Sequence, residues 1–286
     1  MSIRFHVSKN KYFPRDTFSI LSAQSIGPDN NFYFLFNSPI VLGEILPERI
    51  VINKEIEKFK WERNFLENIQ KRRENLINLL KNNGFNVKNF QSICPWHLII
   101  GLGGVHPQET SMTLHHIYGI PYIPGSAVKG VTKHWAVLKF AEQKMNKDNK
   151  SFEDAVEQIS SDLEKGNELD LEIGNIKFGE LIKIFGTQKH QGKVYFIDAY
   201  PVSDINLKID IMNPHYPDYY SGKQPPADWQ NPKPVEFLTV EKTTFRFYLI
   251  SQDNSLLQKS EVLLKEALEK FGIGAKTSLG YGIFKI

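Results

Sequence analysis

From Trp96 to the last residue, short runs of β-branched and aromatic residues alternate with segments of helical periodicity, and this alternation restricts the possible folds more than any other feature. "WHLIIGLGG" at 96–104 reads as a buried strand running into a glycine loop, and "KVYFIDAYPV" at 193–202 as a second core strand. "VEFLTVEKTTFRFYLI" at 235–250 supplies one or two more, with a hairpin turn near Glu241 and Lys242. Two helices interleave with these strands. In the first, Pro124 and Gly125 end an extended segment, Ser126 stands at the N-cap position, and Val128, Val131, Trp135 and Leu138 follow. The second starts near Ser255, where "SLLQ" makes a capping box, and runs through Val262, Leu263, Ala267 and Leu268 to a stop at Gly272. "LGYGIFKI" then forms the last strand. The order strand, helix, strand, strand, helix, strand predicts an α+β domain of the ferredoxin-like, or RNA-recognition-motif-like, type.

The remainder reads as additions to that unit. Residues 1–95 form an N-terminal extension, and 96–286 form the domain proper. Residues 1–52, with "NFYFLFNSPIVL" at 31–42 and punctuation at Pro14, Pro28, Pro39 and Pro47, predict short strands and loops. A long basic helix is expected from Asn53 to Leu80, built on Ile56, Phe59, Phe65, Leu66, Ile69, Leu76 and Leu80 and ended by Gly84. Its other face carries Lys54, Lys58, Lys60, Arg63, Lys71, Arg72, Arg73 and Lys81, which reads as a solvated face, with a phosphate-contacting surface as the alternative. Residues 141–190 are a helical insertion in which 147–172 holds nine acidic and three basic residues, a solvated helix that points away from any polyanion. Residues 212–234 are a proline-rich loop whose Tyr216, Tyr219, Tyr220 and Trp229 suit packing on a neighbouring subunit or insertion between stacked bases.

Composition excludes several classes. A chain of 286 residues, 41% apolar, fills a large core, and its net charge of +3 permits an anionic partner without demanding one. The single cysteine, Cys94, excludes an intrachain disulfide and any cysteine-based zinc site, which fits a reducing, cytoplasmic setting. No stretch approaches the ~18 to 20 apolar residues of a membrane helix, and the N-terminus lacks the apolar run of a signal peptide.

Two places have the chemistry to hold an anion. "GIGAKTSLGYG" at 272–282 sets Gly272, Gly274, Gly280 and Gly282 around Lys276, Thr277 and Ser278. A dinucleotide loop must follow a strand and open a helix; here a helix comes first and a strand follows. A nucleotidase phosphate loop needs glycine directly before its lysine, and Ala275 stands there. Two readings survive: a loop lying along a sugar-phosphate chain, and a plain helix-to-strand turn. The second place is the helix start at Ser126, with Lys129, Gly130 and Lys133 in the turns that follow. Free amides, the positive dipole end and a lysine suit an anion there; an ordinary cap with surface lysines is the alternative.

"GLGGVHPQETSMTLHHIYGIPYIPGSAVKG", "MNPHYPDYY", "DWQNPKPVEFLTV" and the terminal "GIGAKTSLGYGIF" together resemble the RAMP superfamily of CRISPR proteins, and within it the subunit-six family of type III-B (Cmr) effector complexes, over residues 96–286. The resemblance implies a ferredoxin-like fold with a signature terminal glycine loop and a non-catalytic backbone subunit that contacts neighbouring Cmr subunits. It also implies binding to the 3′ part of the guide RNA and proximity to its duplex with target RNA. The glycine-loop motif falls on Gly272, Gly274, Lys276, Thr277, Ser278, Gly280 and Gly282, and the "PGS-x-x-KG" motif on Pro124, Gly125, Ser126, Lys129 and Gly130. Ala127 stands where many relatives have serine, and His106 and Glu109 match an "HP-x-ET" element of unassigned role. On this resemblance both anion sites become RNA-backbone contacts, which suits a guide of variable sequence.

Two rival functions are a protein-only scaffold and a metal-independent ribonuclease. The latter draws on His106, His115, His116 or His134 as proton donor or acceptor, although no spacing pairs them. On a helix His115 and His116 would point about 100° apart. Asp210, His215 and Asp218 read as turn residues in the proline-rich segment, so neither a metal nor another cofactor is expected.

Overall fold

The computed structural model describes residues 31–37, 43–46, 49–52, 54–104, 110–149, 151–213, 222, 225 and 234–286. In chain order, helix α1 (Phe32–Asn37) precedes the ladder of β1 (Gly43–Leu46) with β2 (Arg49–Ile52), a 3-10 turn (Lys54–Lys58), α2 (Arg63–Asn82) and β3 (Asn86–Cys94). Then come α3 (Gly125–Asp148), α4 (Phe152–Lys165), the short ladder of β4 (Glu172–Ile173) with β5 (Ile176–Lys177), and α5 (Phe178–Phe185). Strands β6 (Tyr195–Pro201), β7 (Asn206–Met212), β8 (Val235–Glu241) and β9 (Thr243–Ser251) are followed by α6 (Asn254–Lys270) and a 3-10 turn at Thr277–Leu279.

The central sheet is antiparallel in the order β3–β9–β6, and an Ile93–Lys285 bridge adds the chain end outside β3. Side chains alternate across it. Phe245, Phe247 and Leu249 face the main core beneath α3 and α6, where Val128, Ala136, Phe140, Leu257, Leu264 and Phe284 are buried. Tyr248 and Ile250 point the other way and are covered by Ile77 and Leu80 of α2. The sheet face that an RNA-recognition motif uses to stack bases is therefore occupied here along β9 and β6. Arg73 seals this contact: its guanidinium lies 4.0 Å from the Tyr200 ring centre and donates to the Asp198 carbonyl at 2.5 Å.

Several expectations are corrected. The segment 31–42, expected as strands and loops, holds α1, because Phe32 and Phe36 at i, i+4 spacing are both buried. The long helix begins at Arg63, not Asn53, because Phe59 and Trp61 leave the helical path to pack 4.9 and 5.2 Å from the Phe32 ring. Of its cations, Arg63, Lys71, Arg72 and Lys81 are exposed, while Arg73 is turned inward. The first sheet strand is β3, not 96–104; in that stretch Leu98 makes a bridge to Val240. Strand β3 thus lies in the stretch expected as an extension. Glu241 and Lys242 make no hairpin: Lys242 takes φ 47, and the chain passes from the β7–β8 ladder into the central sheet. The cap of α6 is Asp253, whose Oδ1 accepts from the Ser255 and Leu256 amides at 2.9 and 3.1 Å, in place of a box at Ser255. The acidic helix α4 is only half solvated, since Ala155, Ile159 and Leu163 are buried. No helix among the described residues is long and apolar enough to cross a membrane.

Candidate nucleic-acid interface

The start of α3 lies flat on β6. A β-bulge between Ile197 and Tyr200 lets Asp198 turn its carboxylate onto the first amide of the helix, with Gly125 N–H to Asp198 Oδ1 at 2.6 Å. Ile123 and Ala199 exchange both backbone hydrogen bonds at the same place, 2.9 and 2.8 Å. Gly125 has no room for a side chain, since a Cβ would run into the Phe196 carbonyl. The cap residue is accordingly Pro124, not Ser126, which lies exposed inside the first turn. An internal carboxylate therefore already sits at the positive end of the helix dipole, which leaves the flank of the first two turns as the part open to an outside anion. There Lys129 is half-buried, and burial followed by the charge of Lys133 holds its ammonium below the usual lysine value. Lys133 pairs with Glu164 at 3.4 Å. Gly130 is exposed, and a Cβ there would meet no atom within 4 Å beyond the adjoining backbone of its own helix. A helix-interior glycine costs about 1 kcal/mol relative to alanine, and the packing of the chain gives no reason for it.

The glycine loop is the opposite case. Ala275 N–H donates to the Ile99 carbonyl at 2.9 Å and Gly282 N–H to the His97 carbonyl at 2.7 Å, stitching the loop to residues 97–100. Gly272, Gly274, Gly280 and Gly282 all have positive φ, and a Cβ on Gly274 or Gly282 would run into the Ile99 or Ile273 carbonyl. Gly272 stops α6 as expected, with its N–H on the Ala267 carbonyl at 2.9 Å. The turn reading thus accounts for the glycines, and the side chains remain for a ligand. Ser278 is exposed, Thr277 half-buried, and Lys276 holds its ammonium 4.5 Å from the Phe237 ring centre.

Below this loop, His97 stacks on Tyr281 at 5.3 Å, and its Nδ1 lies 2.9 Å from Thr239 Oγ1. Thr239 spends its own proton on the Lys208 carbonyl at 2.9 Å, so His97 is the donor. The Tyr281 hydroxyl donates to Asp210; burial and this bond push the phenol up to about 12. The α3 start thus lies on the β6 side of the central sheet, and the chain that leaves the glycine loop bridges to its β3 side.

His115 and His116 are not helical. They occupy a turn, with rings parallel within 5° and centres 5.2 Å apart. His115 Nδ1 accepts from the Ile117 and Tyr118 amides at 3.2 and 3.3 Å, so the neutral ring carries its proton on Nε2 and has no free base nitrogen. His134 is exposed beside the Phe271 ring at 4.9 Å. Among the described residues no three His, Cys, Asp or Glu side chains group as metal ligands. His106, Glu109, His215, Asp218, Tyr216, Tyr219, Tyr220 and Trp229 lie outside the described residues. His97, Tyr200 and Tyr281 do not stand out as site residues in the sequence, and Arg73 reads there only as one cation of the α2 face; Asp198 leaves a signal, as the one acid within an otherwise apolar strand.

The chain belongs to the RAMP superfamily, whose family model matches residues 89–285. It is 41% identical over 219 residues to the CRISPR system Cmr subunit Cmr6 of Pyrococcus furiosus, a match covering 65% of this chain and 64% of that relative. To the Cmr6 subunit of Saccharolobus solfataricus it is 27% identical, over 94% of this chain and 89% of that one. The crystal structure of Cmr6 from Pyrococcus furiosus superposes with a TM-score of 0.50 at 38% identity, covering 70% of this chain and 97% of that chain. A chain of the type III-B Cmr-beta complex bound to cognate target RNA shares the fold, with a TM-score of 0.54 at 24% identity, over 77% of this chain and 64% of that one.

Proposed function

We propose that this chain is a non-catalytic backbone subunit of a type III-B CRISPR (Cmr) RNA-targeting complex in the cytoplasm. It holds the 3′ part of the guide RNA by its sugar-phosphate backbone, close to the guide–target duplex, and contacts neighbouring Cmr subunits. The similarity to the Pyrococcus furiosus Cmr6 subunit supports the assignment to such a complex. The observation that carries the RNA reading is Gly130: an open helical glycine beside Lys129 and Ser126 fits a backbone that must come close. The contact set is Ser126, Lys129, Gly130 and Lys133 on one edge, and Gly274, Lys276, Thr277, Ser278, Gly280 and Gly282 on the other. Within the loop the side chains carry the contact and the glycines shape it. Tyr216, Tyr219, Tyr220 and Trp229 meet a neighbouring subunit or the duplex.

The order β3, α3, β6, β9, α6 and the Lys285 edge supports a ferredoxin-like domain. We place its start before Asn86, leaving α1, β1, β2 and α2 as the extension.

The test is RNA binding by the full chain across a salt series, on two guides of unrelated sequence. Lys129→Ala and Lys276→Ala each weaken both guides alike and make the slope of log affinity against log salt shallower by about 0.7. Unchanged affinity and slope in both variants would sink the backbone-binding reading.

A further inference from the structure

The turn at residues 114–120 is built more rigidly than a connection requires. Gly119 N–H donates to the His115 carbonyl at 2.6 Å, and His115 N–H to the Ile120 carbonyl at 2.8 Å. The Asn31 side-chain amide donates to the His116 and Ile117 carbonyls at 3.1 and 2.9 Å, and the Trp61 indole to the Gly119 carbonyl at 3.1 Å. Gly119 takes φ 61, and a Cβ on it would run into Asn31 Oδ1. Residues from the N-terminal third thus hold one turn in a single conformation.

What that turn presents is a column of flat rings. His115 stacks on Tyr118 at 4.4 Å and 20°, and on His116 at 5.2 Å and 5°. Tyr118 leans edge-on against Phe65 of α2 at 6.3 Å, while Tyr122 and Tyr200 meet His115 edge-on at 5.7 Å each. His116 is the exposed end of the column. Burial, followed by the charge of His116, holds His115 below the usual histidine value, which keeps the middle ring neutral. Helix α2 carries two arginines on this side. Arg73 lies over Tyr200, and the exposed Arg72 lies seven residues, or about two turns, from Phe65 on one stripe of α2. The carboxylate within reach, Asp198, is tied to the α3 amide and shares this corner with the Lys129 site.

We propose that His116 is a stacking platform for one unpaired base of the bound RNA, continuing the His116–His115–Tyr118 column while the phosphates of the same strand run to Ser126 and Lys129. The proposal rests on the RNA-backbone reading and adds a base contact to it. Any base has a π-face, so the contact is blind to sequence, and stacking on an aromatic ring contributes about 1–3 kcal/mol per base.

The test is His116→Ala in the full chain, by fluorescence anisotropy on a single-stranded guide and on the same guide with abasic sites scanned along it. The expected result is a roughly 5- to 150-fold loss of affinity with an unchanged salt slope, because no ion pair is lost. An abasic site at one position should weaken wild type equally and leave His116→Ala unaffected. His116→Phe, which keeps a ring, restores binding. If the lysine variants lower the salt slope while His116→Ala binds like wild type, the platform is refuted and the backbone reading stands. If the full chain binds no RNA, both fall. If His116→Ala binds RNA normally but loses association with partner subunits, the turn is a protein surface and the platform is again refuted.

Discussion

In the Gly130→Ala variant the new methyl, one turn inside α3, meets nothing within 4 Å beyond the adjoining backbone of its own helix. Nothing in the fold opposes it, so the helix gains the full difference in propensity, about 1 kcal/mol. For a chain of this size that raises Tm by about 2 °C. The same methyl stands beside Lys129 and Ser126, where the RNA backbone is proposed to lie. Pushing a phosphate out of one charge-assisted hydrogen bond costs about 1.5–3 kcal/mol, a roughly 10- to 150-fold loss of affinity. Thermal unfolding and RNA anisotropy on one preparation give both numbers. A variant that is more stable and binds more weakly is hard to explain by misfolding. A variant that is more stable and binds as before would refute the reasoning, because Gly130 would then have no role in binding. Gly274→Ala is no substitute: at φ 103 against the Ile99 carbonyl it damages the loop itself, and lost binding there would say nothing about contact.

Two further predictions concern what holds these sites. Arg73→Ala removes a guanidinium from the Tyr200 ring and from the Asp198 carbonyl, and urea unfolding should show a loss of about 2–4 kcal/mol, with Arg73→Lys recovering less than half; a change under about 0.5 kcal/mol would mean α2 is held by its apolar residues alone. The Tyr281 phenol, raised from 10 to about 12, adds stability that is complete below pH 10 and is lost as the pH climbs through 12. Tyr281→Phe should flatten that alkaline loss in a chemical-unfolding series, and an unchanged profile would show that the bond to Asp210 contributes nothing.

Much of the site was legible because its signals are local. Gly272 as a helix stop and the motif "PGSAVKG" as a helix start are decided by a few adjacent residues, and α3 and α6 formed where apolar periodicity placed them. Sequence pattern and structure part wherever a distant partner decides. "NFYFLFN" is rich in strand formers, yet as a helix it buries Phe36 against Phe32 and packs Phe32 on Phe59 and Trp61, which outweighs what propensity costs. "WHLIIGL" has the composition of a core strand, but the ladder partner of β9 is β3, which reads as an unremarkable polar segment. Exposure alternates along it, but Lys88 and Ser92 stand on the same inward face as Phe90 and Cys94, so the apolar alternation of a strand is missing from the sequence, while Asn89 and Gln91 are exposed because α2 covers only part of the other face.

By itself, the sequence determined an α+β chain with one cysteine, without a membrane helix, and with lysines and hydroxyls gathered at a helix start and a terminal glycine loop. Those properties follow from residue type and short-range spacing. Only the tertiary structure decided which glycines serve the fold and which leave room for a partner, because steric need depends on atoms that are remote in sequence. Gly274 and Gly130 look alike in the chain. The Ile99 carbonyl stands against the first, and nothing stands against the second.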